Sequence, residues 1–99
     1  MGNVYLTVTK HNLVVEAPYK EAFREELKDV IDPIYRAWDK DKKVWLVGKQ
    51  KLPVVKELLK FHYPHERAYL LEGSGITDLH TGEEADLDSE DFENPGDWL

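Results

Sequence analysis

Apolar runs with the period of strands come in two pairs in this 99-residue chain, and a stretch with the period of a helix follows each pair. Turn-forming residues separate the runs within each pair. Together these observations predict a small α+β domain: an antiparallel sheet from two hairpins, two helices on one face, in the order ββαββα(β).

The elements follow in order. Val4, Leu6 and Val8 alternate with Tyr5, Thr7 and Thr9, the period of a half-buried strand. Lys10-His11-Asn12 supplies a turn, and Leu13 to Ala17 reads as the returning strand. Pro18 suits the first turn of a helix, where its missing N–H costs nothing. From there Tyr19, Ala22, Phe23, Leu27 and Val30 recur three or four apart, with Glu and Lys opposite. Asp32-Pro33 ends that helix, because a residue before proline is pushed out of the helical region. Ile34 to Trp38 and Lys43 to Val47 are aromatic and β-branched around the polar turn Asp39 to Lys42, so they predict the second hairpin. Pro53 opens a second helix with Val55, Leu58, Leu59 and His62 on one face. Tyr63-Pro64 stops it, and Arg67 to Leu71 reads as a last short strand.

Charge divides the chain. The 13 basic residues all lie between Lys10 and Arg67, so residues 1–72 carry +2. The stretch from Gly73 onward holds nine acids and no base, and the total is −7. The negative balance therefore belongs to the tail and excludes nothing about the domain surface. Past the punctuation Gly73-Ser74-Gly75 apolar residues are sparse, and such a composition does not offset the entropy of ordering. The expected organisation is a domain over 1–72 and an acidic, disordered tail over 73–99. Without cysteine there is no disulfide framework, thiolate metal site or cysteine nucleophile. Met1 to Thr7 lack the basic and apolar blocks of a signal peptide, and no apolar run is long enough for a bilayer. An intracellular protein, cytoplasmic or nucleoid-associated and away from membranes, is expected.

The stretch Val15 to Tyr19, then Phe23 to Ile31, then Trp38-Asp39, Lys43 and Trp45 resembles the HARP domain, the module found beside annealing helicases of the Snf2 type. The pattern is a strand, an early tyrosine, a helix, an aromatic-Asp pair, a Lys or Arg, and a tryptophan. Trp38 stands where the family usually has tyrosine, and the likeness covers about residues 4–62. It implies a ββαββα module that helps a helicase engage branched or single-stranded DNA. The chain itself has no Walker A or other Gly-rich phosphate loop, and the acidic tail is no part of the family pattern.

Candidate nucleic-acid-binding residues are the ridge Lys20, Arg24 and Lys28, then Arg36, Trp38, Lys40, Lys42 and Lys43, then Lys49, Lys51, Lys56 and Lys60. Clustered cations suffice for phosphates, and aromatics among them offer faces on which bases stack. The bland alternative is a solvated helix face, with Glu21 beside Arg24 and Glu25 beside Lys28. Between Arg36 and Lys60 the cations meet only Asp39, Asp41 and Glu57. Trp45 shares a face with Val47 and is expected in the core; Trp38 is left open. In the tail, Asp91, Phe92, Glu93, Asp97, Trp98 and Leu99 form an acidic, aromatic end, similar in kind to the partner-recruiting tips of single-stranded-DNA-binding proteins.

His62-x-x-His65 with His80 lacks a rigid common element, so no metal is expected there. Asp86-x-Asp88-x-Glu90 departs from a calcium loop, with Asp91 where glycine is needed and Asp97 where glutamate is needed. No nucleophile elbow or carboxylate pair points to catalysis, so neither an enzyme nor a cofactor is expected. The leading expectation is an accessory module of DNA processing, suited to a phage-like setting. It would contact DNA or a helicase through the second hairpin, and its tail would recruit a partner or mask that surface. The alternative is a protein-only inhibitor or adaptor whose tail imitates nucleic acid.

Overall fold

The period-two run Val4 to Val8 becomes an interior strand of a six-stranded mixed sheet in a computed structural model, which describes residues 2–85. The strands are β1 (Val4–Val8), β2 (Leu13–Glu16), β3 (Arg36–Asp39), β4 (Val44–Val47), β5 (Ala68–Glu72) and β6 (Gly75–Asp78). Helix α1 (Glu21–Val30) lies between β2 and β3, and α2 (Leu52–His62) between β4 and β5. The spatial order is β3-β4-β2-β1-β5-β6. The α+β class and the order of strands and helices thus stand, with one strand added at the end.

Five details differ from the sequence reading. The sheet is mixed, because β5 runs parallel to β1, with Val4 opposite Ala68 and Leu6 opposite Leu70. The strand β3 begins at Arg36, since Pro33–Tyr35 form a 3₁₀ turn and Ile34 is exposed. The helix α1 begins at Glu21 rather than Pro18, because the Pro18 carbonyl accepts the Tyr63 hydroxyl at 2.5 Å. Tyr19 and Val30, expected on the apolar face, are exposed, and the buried stripe is Phe23, Leu27 and the following Ile31.

The fifth difference is the boundary at Glu72. Gly73 and Ser74 form a two-residue hairpin loop, and β6 pairs with β5 through Leu70–Thr77 and Leu71–Ile76. Gly73 has φ +61°, the left-handed backbone that glycine adopts without a Cβ clash, and it occupies the first loop position. The chain then turns at Asp78, whose carboxylate accepts the His80 and Thr81 amides. Leu79 enters the core at 5% exposure, and Glu84 bridges back to Thr77. Residues 75–85 are therefore part of the fold. They add three acids and no base, which brings residues 2–85 close to neutrality rather than +2. Residues 86–99 lie outside the described residues, and with them the tail candidates Asp91, Phe92, Glu93, Asp97, Trp98 and Leu99 and the acidic run from Asp86.

Both helices occupy one face, for a topological reason. The crossover β2–α1–β3 jumps over β4, and β4–α2–β5 jumps back over β2 and β1. The two start on antiparallel strands and travel in opposite directions along the sheet. Right-handed connections then place α1 and α2 on the same side. There Phe23, Leu27, Val55 and Leu59 pack with Val4, Leu6, Leu13, Val15, Trp45 and Val47. The α2 face read from the sequence (Val55, Leu58, Leu59, His62) is the buried one. His62 also ties the helices together, its Nε2 lying 2.7 Å from Glu26 Oε1.

Candidate functional site

The helices do not cover the whole inner face. At the β3–β4 edge the sheet extends past them, and an open groove of about 690 Å³ remains between the second hairpin and the ends of the two helices. Its base is apolar and buried. Val15 and Trp45 come from the sheet, Phe23 from α1, and Tyr63 from the residue just after α2. Trp45 is 7% exposed, as expected of a core tryptophan. Phe23 and Tyr63 meet edge to face at 5.4 Å. Burial pushes the Tyr63 phenol up to about pKa 12, with Glu66 adding to the effect. The hydroxyl therefore keeps its proton and holds the loop at Pro18.

Two aromatics rise above this base. Trp38 is directly opposite Trp45 in the β3–β4 ladder, so the two side chains share a face and meet at 5.2 Å. Because β3 is the edge strand, no further strand among the described residues shields Trp38, and it stays 50% exposed. Tyr19, in the loop before α1, is 77% exposed and lines the same groove.

Four cations complete the lining: Lys20, Arg24, Lys40 and Lys43, with no carboxylate among the lining residues. The hairpin turn aims two of them. Asp39 accepts the Asp41 and Lys42 amides on Oδ1 at 3.0 and 3.1 Å, and its carbonyl accepts the Lys43 amide at 2.7 Å. Closing this tight turn requires φ +59° at Lys43, a left-handed conformation that costs a side-chain-bearing residue about 1–2 kcal/mol. The aspartate after Trp38 is thus a turn-former, and the cations are what the turn presents. Lys20 is tethered, donating to the His62 carbonyl at 2.5 Å with its ammonium 4.9 Å over the Tyr63 ring. It caps the C-terminal end of α2, where the helix dipole favours a cation. Arg24, Lys40 and Lys43 make no ion pair among the described residues.

The structure thus gathers five of the twelve sequence candidates: Lys20, Arg24, Trp38, Lys40 and Lys43. The other seven lie apart. Lys20 precedes α1, so no Lys20–Arg24–Lys28 ridge exists on the helix. Lys28 stands among Glu25, Glu26 and Asp29. Arg36 caps α1, its Nε donating to the Ile31 carbonyl at 2.8 Å. Lys49 reaches the Lys10 carbonyl, Lys51 lies 5.1 Å over the Tyr35 ring, and Lys60 is 3.8 Å from Glu57. Lys42 is exposed on the turn and Lys56 half-buried on α2, neither in the groove. Missing from the sequence reading were Tyr19, Phe23 and Tyr63 as groove residues. The available signals were Tyr19 as the early tyrosine of the HARP-like pattern and Tyr63-Pro64, an aromatic placed where a helix must stop.

Among the described residues no group of three or more His, Asp or Glu could hold a metal ion. His62 faces Glu26, and His80 faces the Glu66 carbonyl. No helix among them is long and apolar enough to cross a membrane. No family model, curated protein or solved structure matches this chain.

Proposed function

We propose that this chain is a non-enzymatic, HARP-like accessory module of DNA processing that contacts single-stranded or branched DNA through the groove beside its second hairpin. One observation carries the reading: half-exposed Trp38 and exposed Tyr19 stand in one groove with four cations and no acid. Aromatic faces beside unpaired cations suit a ligand that joins flat bases to phosphates, and each stacked base contributes about 1–3 kcal/mol. Of the residues that carry the resemblance in the second hairpin, Trp38, Lys43 and Trp45 wall the groove and Asp39 closes the turn beside it.

The contact uses fewer charges than the basic composition suggests. Arg24, Lys40 and Lys43 are the available phosphate ligands, so at roughly 0.7 per phosphate neutralised the log–log salt slope of single-strand binding should be no steeper than about −2. The test is a titration of the full chain with single-stranded and forked DNA at several salt concentrations, beside an Arg24→Glu, Lys40→Glu double variant. Loss of binding in the variant, with its fold intact by circular dichroism, supports the reading. Equal binding by both proteins, or none at the lowest salt, rejects it. In the second case the protein-only inhibitor or adaptor becomes the better account, with the acidic segment beyond the described residues as its contact.

A further inference from the structure

We infer that the groove is a pocket for one nucleotide, with the base against Trp38 and the phosphate among Arg24, Lys40 and Lys43, and not a track for a continuous strand. This rests on the reading of the groove as a nucleic-acid contact and narrows its ligand.

Three observations limit the ligand to one unit. The first is size. At about 690 Å³ the groove lies within the roughly 300–1,000 Å³ typical of small-molecule sites. A strand-binding surface serves about 4–16 nucleotides in the folds that specialise in it.

The second is where the cations stop. A track needs available positive charge beyond the groove in at least one direction. Toward α1's C-terminus the next cation is Arg36, already held by the Ile31 carbonyl. Beyond β4, Lys49 is spent on the Lys10 carbonyl and Lys51 on the Tyr35 ring. Along α1, Lys28 stands among three carboxylates. Of the neighbouring hairpin cations only exposed Lys42 stays uncommitted, so a strand leaving the groove would meet one further partner and not a track.

The third is the base of the groove. Trp45, Phe23 and Tyr63 are buried and locked by ring contacts and the Tyr63–Pro18 hydrogen bond. A flat apolar base can slide in until it meets them, but the chain cannot be threaded through. The accessible aromatic faces are Trp38 and Tyr19, enough for one base.

A nucleotide reaches such a pocket either as a free mononucleotide or as an unpaired or terminal unit of a strand; the chemistry recognised is the same. The test follows backbone and indole N–H signals of the isotope-labelled full chain by NMR. The titrants are deoxyadenosine, deoxyadenosine monophosphate, and two- and twelve-nucleotide oligodeoxyadenylates. The expected result is shifts at Trp38 and Lys43 with the mononucleotide. Affinity should rise less than about fivefold from two to twelve nucleotides, and be at least about tenfold weaker for the nucleoside that lacks phosphate. Trp38→Ala should weaken binding about tenfold or more, the equivalent of one lost stack at 1.4 kcal/mol per tenfold. Arg24→Gln, on an exposed helix position, gives the same reading should the Trp38 variant misfold. Affinity climbing steeply with length, with no binding of the mononucleotide, overturns the single-nucleotide pocket and leaves the DNA contact standing. Binding of the mononucleotide with exclusion of both oligomers supports the pocket and overturns the DNA contact. No response to any titrant overturns both.

Discussion

Replacing Lys43 by glycine should move stability and binding in opposite directions. Lys43 sits at φ +59° at the end of the β3–β4 turn, where a Cβ crowds the backbone at a cost of about 1–2 kcal/mol. Glycine removes that cost but adds freedom to the unfolded chain, which takes back about 0.4–1 kcal/mol. At the midpoints of these ranges the net gain is about 0.8 kcal/mol. In a domain of this size 1 kcal/mol moves the melting temperature by about 4–8 °C, so a rise of roughly 2–8 °C is expected. The same substitution deletes one groove cation, so the affinity for single-stranded DNA and its salt dependence should both fall. A thermal melt and a salt-dependent titration of the same preparation read both effects. Lys43→Ala is the control: it removes the charge and keeps the Cβ, so binding weakens without any gain in melting temperature. A lower melting temperature for the glycine variant would refute the strain at Lys43. A higher one with an unchanged salt slope would refute its place in the ligand contact.

Arg36→Ala should cost about 1–2 kcal/mol in denaturant unfolding, as the Ile31 carbonyl loses a charged donor, and leave the salt slope of DNA binding unchanged. Trp45→Ala should cost about 3–5 kcal/mol, while Trp38→Ala on the same ladder rung costs far less, because one is core and the other half-exposed. A chain ending at Glu72 loses β6 and the burial of Leu79, worth about 1.5–3 kcal/mol for the leucine alone, whereas one ending at Ala85 keeps its cooperative transition; hydrogen exchange on β5 separates the two. Tyr63 is raised from 10.0 to about 12 in the folded chain, so the native state holds its proton where the unfolded state gives it up. That contribution is fully present below pH 10 and is lost as pH rises through 12, and Tyr63→Phe should flatten the slope of stability in that window.

Local periodicity made β1, β2, β4 and the buried stripe of α2 legible, because each is decided by neighbours within a few residues. The pairing of β5 with β1 was not legible: an apolar run such as Ala68 to Leu71 does not name its partner, and the partner lies some sixty residues earlier. The misplaced start of α1 has a similar origin. Pro18 fits a helix's first turn locally, but a distant phenol, Tyr63, claims its carbonyl. For β6 a usable signal was present. Leu70-Leu71, then the two residues Gly73-Ser74, then β-branched Ile76-Thr77 is a hairpin pattern, and the density of acids after it dominated the composition. At the site, the residue types were readable but not their commitments. Arg36, Lys49 and Lys51 look identical in sequence to Lys40 and Lys43, and only the folded contacts separate cations already engaged from those facing the groove.

The strand order has an electrical consequence. The hairpin that carries the groove lies at one edge of the sheet, and β6, followed by Glu83 and Glu84 with no basic neighbour in residues 73–85, lies at the other. Five inter-strand steps of about 4.8 Å separate the edges by about 24 Å. At physiological ionic strength the screening length is about 8 Å, so each edge is invisible to a charge held at the other. Near 0.01 M salt the screening length reaches about 30 Å, and a polyanion seated on the hairpin then feels the acidic edge as well. Affinity should therefore climb on dilution of salt and then flatten below the straight line set by phosphate contacts alone, a curvature that a uniformly basic domain of the same size would not show.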